Sequence, residues 1–220
     1  MSLAFIPPRV DGLRETISEQ RPADVDFVGV CVAYGRGQEI YGEGEPADHI
    51  YKVLSGVVRG FKVLADGRRQ ISEFYLPGDC FGFEAGAEHR ENVEAIVPSQ
   101  VVVAHRASLV TASLRTDTVR GLWHIAIDNL QRSQDHVLML GRHSAVERLA
   151  SFLADLAERL GADDAFDLPM SRQDMADYLG LTIETVSRTL TQLQADGLID
   201  ICGCRKVRLR NRAALATLCQ

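Results

Sequence analysis

The segment from Ser171 to Ala195 constrains this chain more than any other stretch of its 220 residues. Ser171 stands where a helix N-cap is wanted, and Asp174, three residues on, is placed to reach back as a capping-box acid. Met175, Tyr178 and Leu179 supply an inward face, and Gly180 stops the helix after two turns. Thr182 then caps a second helix, predicted from Ile183 to about Ala195. Two short helices joined by a tight glycine-containing turn make a helix-turn-helix. Along the second helix, Ile183, Val186, Leu190 and Leu193 recur at spacings of three and four and are expected to face a core. Glu184, Ser187, Arg188 and Thr191 then share the opposite face.

Those outward residue types suit base edges. An arginine at position 188 can donate two hydrogen bonds to guanine O6 and N7, and Glu184 can accept from cytosine N4. Ser187 is a short, adaptable donor and acceptor. Ser171, Arg172, Thr182, Ile183, Thr185 and Thr191 surround them as further candidates for DNA contact. Without context, Glu184 and Arg188 read equally well as an ordinary i,i+4 ion pair worth about 0.2–0.5 kcal/mol. The residues C-terminal to this helix tip the balance. Leu198-Ile199-Asp200-Ile201 and Lys206-Val207-Arg208-Leu209 read as two strands around a turn at Gly203, the pattern of a wing. Arg205 and Lys206 near its tip are candidate phosphate contacts.

Upstream the period changes. From about Val30 to Val110 short β-like runs are broken by glycines, as in His49-Ile50-Tyr51-Lys52-Val53-Leu54 and Gln100-Val101-Val102-Val103-Ala104. Asp66-Gly67 between two such runs predicts a type I′ hairpin, which needs positive φ at both central residues. Regularly spaced short strands imply a small antiparallel barrel or sandwich. A helix is expected from about Thr116 to Gly141, where Trp123, Ala126, Leu130, Ser133, Val137 and Leu140 alternate at spacings of three and four. That spacing fits the seam of a two-stranded coiled coil, and fits as well the inner face of a helix packed on its own domain. Val146, Leu149, Leu153, Leu156 and Leu160 stripe a further helix ended by Gly161. Pro169 then stops any helix from continuing through an Asp163–Leu168 linker.

Composition narrows the class. Hydrophobic residues at 46% and charged residues at 25% are ordinary for a soluble globular chain, and no apolar run approaches a membrane span. The N-terminus carries Pro7 and Pro8 with no basic stretch leading into an apolar one, so no signal peptide is expected. Five cysteines without framework spacing then point to the reducing cytoplasm. Net charge is −6, but its distribution is uneven: Leu168 to Gln220 carries seven Lys+Arg against five Asp+Glu, and the first 167 residues 17 against 25. A mildly basic tail on an acidic body fits a DNA reader whose other part does something else. No Ser/His/Asp arrangement, Walker motif or metal-binding histidine pair is present, so no enzyme is expected and no catalytic or metal-ligating residue is assigned.

The run Asp174-Met175-Ala176-Asp177-Tyr178-Leu179-Gly180-Leu181-Thr182-Ile183-Glu184-Thr185-Val186-Ser187-Arg188 resembles the helix-turn-helix of the CRP/FNR superfamily, and of its FixK group in particular. Upstream, Ala145 to Leu153 is similar to the family's helix after the dimerisation helix, and Gly78-Asp79-Cys80-Phe81-Gly82-Phe83-Glu84 to its β-roll. The resemblance runs from about Ala33 to the C-terminus and is most specific in the helix-turn-helix. It implies an α+β fold with three parts: an N-terminal antiparallel, jelly-roll-like β-roll (1–115), a long dimerisation helix (116–142) and a C-terminal winged helix-turn-helix domain (143–220). The boundary falls near His143. It further implies a homodimer on double-stranded DNA, reading a pseudo-palindrome of TTGAT-type half-sites through Glu184, Ser187 and Arg188. RNA polymerase is an implied partner. The implied role is activation under oxygen limitation, in microaerobic respiration and nitrogen fixation.

The effector part departs from its relatives. Members that bind cyclic AMP cradle the phosphate with an Arg-Ser-Ala or Arg-Thr-Ala segment; here Arg90 is followed by Glu91, whose charge would repel it. No cyclic-nucleotide binding is therefore expected, the alternative being a small-ligand sensor whose DNA binding needs an effector. Only Cys31 and Cys80 lie in the first 200 residues, too few for an FNR-type iron–sulfur cluster, and no histidine is singled out for haem. No cofactor is expected. Cys202-Gly203-Cys204 could bind metal or be oxidised, but reads first as small residues at a wing turn, since no second ligand pair is present. Some FixK-like members carry cysteine at the position of Ser171, where oxidation would set a negative charge beside DNA; serine removes that switch.

Overall fold

The computed structural model describes residues 29–108, 116–142, 144–203 and 205–218. The boundary expected at His143, the Pro7-Pro8 segment and Cys204 lie outside the described residues. The first half is β1 (Val30–Tyr34), β2 (Glu39–Tyr41), β3 (His49–Ser55), β4 (Val58–Val63), β5 (Arg69–Tyr75), β6 (Cys80–Phe81), β7 (Asn92–Ala95) and β8 (Ser99–His105). These form two antiparallel four-stranded sheets, ordered β1-β8-β3-β6 and β2-β7-β4-β5. This is the expected β-roll. Alternation along the strands sends Tyr51, Val53, Val58, Val93 and Val101 inward to a core with Tyr41 and Phe81, where Tyr51 stacks on Phe81 at 5.0 Å between ring centroids.

The Asp66-Gly67 hairpin forms between β4 and β5, but not as a type I′ turn. Among described residues only glycines have positive φ, and Gly67 sits at +82°. The Gly67 amide donates to Leu64 O and the Leu64 amide to Arg68 O, each at 2.8 Å. The loop is therefore a type I turn closed by a left-handed glycine, which spares Asp66 the strained conformation. The Asp66 carboxylate instead accepts from the Arg68 amide at 3.0 Å.

Helix α1 (Thr116–Arg142) is about 40 Å long at 1.5 Å per residue. It carries two stripes, which is why its sequence admitted two readings. One packs inward: Leu122 and Ile125 lie on Ile50, Asn129 donates to Cys80 O, Arg132 pairs with Asp79 and Met139 is buried. The other is exposed, Trp123 at 66%, Leu130 at 52% and Val137 at 68%, with Ala126 and Ser133 beside them, and its Ala126, Leu130 and Ser133 border a cavity of the roll. Leu140 leaves this second stripe: it is half-buried against the chain's own C-terminal half, because α1 ends beside the helix-turn-helix.

Next come α2 (Ala145–Arg159), β9 (Ala165–Asp167), α3 (Arg172–Leu179), α4 (Ile183–Ala195), β10 (Ile199–Cys202), β11 (Lys206–Leu209) and α5 (Arg212–Leu218). Ser144 caps α2 in a reciprocal box with Glu147. The segment expected to be a plain linker contains β9, the third strand of a sheet ordered β10-β11-β9, with Phe166 buried opposite Val207. Three residues are too few to show a period, so only pairing with β11 reveals the strand. One apolar core joins the two halves. Phe74 and Leu76 of the roll pack with Phe152, Leu156 and Leu179, and Phe74 meets Tyr178 at 5.2 Å between centroids.

Candidate nucleic-acid interface

The helix-turn-helix is built as its sequence dictates. The Asp174 amide donates to Ser171 Oγ at 3.1 Å and the Ser171 amide to Asp174 Oδ2 at 2.9 Å, closing the capping box of α3. Gly180 ends α3 with φ +62°, a conformation that costs an L-residue roughly 1–2 kcal/mol. Thr182 caps α4, its Oγ1 accepting from the Thr185 amide at 3.2 Å.

On α4, Val186, Thr189, Leu190 and Leu193 are buried, whereas Glu184, Arg188 and Thr191 are exposed and Ser187 is half-buried. Ile183 is the exception to the expected core face: it is 39% exposed. As the first helical residue it precedes the turn that reaches the core, and it lines a groove with Thr182, Glu184 and Thr185 instead. The Glu184 carboxyl is held below its usual value by its own backbone amide at the helix N-terminus and by the Thr182 hydroxyl, with Arg188 adding a smaller attraction. Its charged form is thus the one presented. Thr191 donates its hydroxyl back to Ser187 O at 3.1 Å.

The flanking candidates spread around this face. Ser171 is exposed at the start of α3; Arg172 is half-buried, and its Nη1 has no hydrogen-bond partner among the described residues. Arg205 and Lys206 are exposed at the β10–β11 turn, beside the exposed Cys202. The groove beside Ile183 is closed on its far side by Leu64, Arg68, Arg69 and Gln70 of the β4–β5 hairpin. Sequence reasoning missed that hairpin's role here, and missed Arg59 and Arg69, which bind Asp174 and Asp177 of α3. Partners 105 residues apart leave no periodic trace. The one signal available was Asp177, a charge midway along a two-turn helix between inward-facing residues.

The roll also encloses a cavity of about 620 Å³ against α1, lined in part by Tyr41, Tyr75, Phe81, Asn129 and Ser133. Glu91 projects into it, accepting from Ser72 Oγ and from Tyr75 Oη at 3.2 Å. A side chain at Gly60 would stand 2.7 Å from its Oε1, so the glycine makes the room that this carboxylate fills. Burial pushes the Glu91 carboxyl up. Arg90 and Lys62 line the same cavity, each paired with an acid of the chain: Arg90 with Glu84 at 3.1 Å and Lys62 with Glu43 at 3.1 Å.

Comparison with known proteins agrees with this architecture. Residues 31–114 match the cyclic nucleotide-binding domain family, and residues 147–218 the Crp-like helix-turn-helix domain family. The chain is 46% identical over 205 residues to the nitrogen fixation regulation protein FixK of Azorhizobium caulinodans, covering 90% of this chain and 83% of that one. To the FixK of Rhizobium meliloti it is 43% identical, covering 90% and 91%. The solved structure of FixK2 from Bradyrhizobium japonicum superposes with a TM-score of 0.83 at 46% identity, over 87% of this chain and 97% of that one. Fold, helix-turn-helix and relatives agree, and the chain belongs to the CRP/FNR superfamily of DNA-binding transcription regulators, alongside the FixK proteins.

Proposed function

We propose that this chain is a cytoplasmic regulator, chiefly an activator, that binds as a homodimer to a pseudo-palindrome of TTGAT-type half-sites without cyclic nucleotide. The observation that carries the reading is the split of α4: its inner face is packed on the domain, and its outer face offers Glu184, Ser187 and Arg188 together. Arg188 donates to guanine, Glu184 accepts from the paired cytosine, and Ser187 adjusts between neighbouring bases. Ser171, Arg172, Thr182, Ile183, Thr185, Thr191, Arg205 and Lys206 take the phosphates and groove walls around them. The exposed stripe of Trp123, Ala126, Leu130, Ser133 and Val137 is the seam with a second copy, and RNA polymerase is the further partner that the family resemblance implies. On this division residues 1–115, 116–142 and 143–220 serve effector-type, dimerising and DNA-binding roles. The relatives' names, regulators of nitrogen fixation, support a place in the control of nitrogen fixation, and the family resemblance implies oxygen limitation as the setting.

Independence from cyclic nucleotide rests on Glu91, which stands in the cavity where a cyclic phosphate would need donors, and on Lys62 and Arg90 of the same lining being paired already with Glu43 and Glu84. The test is a titration against a labelled duplex with two TTGAT-type half-sites at one stated salt concentration, beside a control with the G·C pair of each half-site changed. Discrimination of about 1–3 kcal/mol per half-site is expected without added nucleotide. Equal, weak binding of both duplexes that cyclic AMP rescues would establish an effector-dependent regulator instead. Equal binding without rescue would mean that the half-site is wrong.

A further inference from the structure

The helix-turn-helix is tied to the β-roll by a cluster of buried charges that its own fold does not need. Asp174 already completes the capping box of α3, yet its Oδ1 also receives Arg59 of β4 and, at 2.8 Å, Arg69 of β5. Arg69 continues to Asp177 Oδ2, one turn along α3, at 2.8 Å, and Gln173 holds the other oxygen of Asp177 at 2.6 Å. Arg59 is anchored behind by Glu94 of β7, and both guanidinium groups lie 5.6 Å from the ring centre of Phe61. Asp174 and Asp177 keep only 7% and 12% of their side-chain surface in contact with solvent. Elsewhere on the same junction His136 of α1 donates to Tyr178 O at 2.9 Å, and Arg159 of α2 pairs with Glu73 and Asp79.

A buried ion-pair cluster of this kind adds little net stability, because desolvation offsets the attraction, but it admits few geometries. Its useful product is an angle. The position of α4 relative to α3 is fixed by the core they share, so whatever orients α3 on the roll orients the reading face of α4. The roll in turn is fixed to α1, which bears the exposed stripe. We infer that Arg59 and Arg69, through Asp174 and Asp177, are positioning residues that set the angle of the recognition helix to the dimer axis, and so select the spacing between half-sites. This rests on the dimeric DNA-reading function proposed above. Recognition helices about 34–36 Å apart meet successive turns of one DNA face, and one added base pair moves a half-site by roughly 3.4 Å and about 35° around the axis. A clamped pair of helices rejects that change and a loosened pair tolerates it.

The experiment measures affinity for three duplexes with identical half-sites, at the preferred spacing and one base pair longer and shorter, together with a single half-site. The full-length dimer is compared with Arg69→Met, Asp177→Asn, their combination and Arg69→Lys. The wild type should favour one spacing about tenfold or more, a preference of the size of one mismatched base pair. Arg69→Met, which loses both Asp174 and Asp177, should flatten it about fivefold, Asp177→Asn less, and the double variant no further than Arg69→Met, since the Asp177 contact is already lost there. Arg69→Lys should retain most of it. Binding to the single half-site should be unchanged, and thermal unfolding verifies that each variant is folded. An unaltered spacing preference in folded variants would overturn the inference, as would equal losses on every duplex. If the wild type shows no half-site selectivity, the DNA-reading function falls first. The clamp is then judged by small-angle scattering of the DNA-free dimer: expansion in Arg69→Met and Asp177→Asn supports it, and identical profiles overturn it.

Discussion

Helix α4 and the cavity of the β-roll both carry charged side chains over an apolar base, but they direct them oppositely. On α4 the buried Val186, Leu190 and Leu193 leave Glu184 and Arg188 in solvent, where Glu184, though held by its own amide and the Thr182 hydroxyl, stays exposed to a partner. In the roll, Glu91 turns inward and is bonded by Ser72 and Tyr75 of the same chain. A polar group satisfied inside the fold has little left to offer a ligand, whereas an exposed one loses only water on binding. Both regions match their family models, so the frame outlasts the chemistry of either site. The frame is held by alternating apolar residues, and the site by a few side chains that can change without disturbing them.

The sharpest way to break this contrast is Arg188→Ala. Affinity for the specific duplex should fall by about 5- to 150-fold per half-site, while the folding free energy moves by less than about 0.5 kcal/mol, because the side chain is exposed. Equal losses on specific and control duplexes would reduce Arg188 to a phosphate contact. Next in size is Val137→Glu, on the exposed stripe of α1. A like charge from each copy at a shared seam should weaken self-association about tenfold or more, read by sedimentation, with the monomer's fold intact. An unchanged association constant would put the interface elsewhere.

Much of this was legible in the residues. The caps at Ser171 and Thr182, the stop at Gly180 and the wing around Gly203 are local events, set by a few neighbouring side chains. What escaped is non-local or too short. The strand β9 exists only because β11 pairs with it. The Asp66-Gly67 pair marked a hairpin correctly, but the choice between turn types depends on where Arg68 can close the ladder. Ile183 kept the helical period yet stands outside the core, since the period says which face a residue lies on and not where the core ends. The two stripes of α1 were superposed in one sequence, and only the position of the roll separates them. Of the site, the outward face of α4 could be read from spacing; the arginines clamping α3 could not.

A smaller effect tests the inward half of the contrast. Burial raises the Glu91 carboxyl above its ordinary value of 4.5, so the unfolded chain gives up this proton more readily than the folded one. Its contribution is therefore favourable below pH 4.5 and is lost as pH rises through the raised folded value. Glu91→Gln keeps the shape and cannot ionise. Relative to wild type, its thermal midpoint should gain as pH is taken from 4 to 8, and the difference should level off above the folded value. Glu73, also raised by burial, is present in both proteins and cancels in the subtraction. A flat difference would mean that Glu91 is solvated, and the cavity open to an anion after all.

The smallest effect falls at Ser171, where the two kinds of chemistry meet in one residue. Its Oγ accepts from the Asp174 amide at 3.1 Å and donates to Asp174 Oδ2 at 2.7 Å, so part of its capacity is used inside the fold. The side chain is nevertheless exposed at the start of α3. Ser171→Ala should cost about 1 kcal/mol of stability through the lost cap, a fall of roughly 2–4 °C in Tm for a chain of this size. Ser171→Asn keeps a good cap and carries no charge, so its stability should stay near wild type. If both variants bind the specific duplex as wild type does, the hydroxyl serves the helix alone. If Asn restores stability but not affinity, Ser171 also reaches a phosphate, and the division between inward and outward chemistry runs through a single side chain.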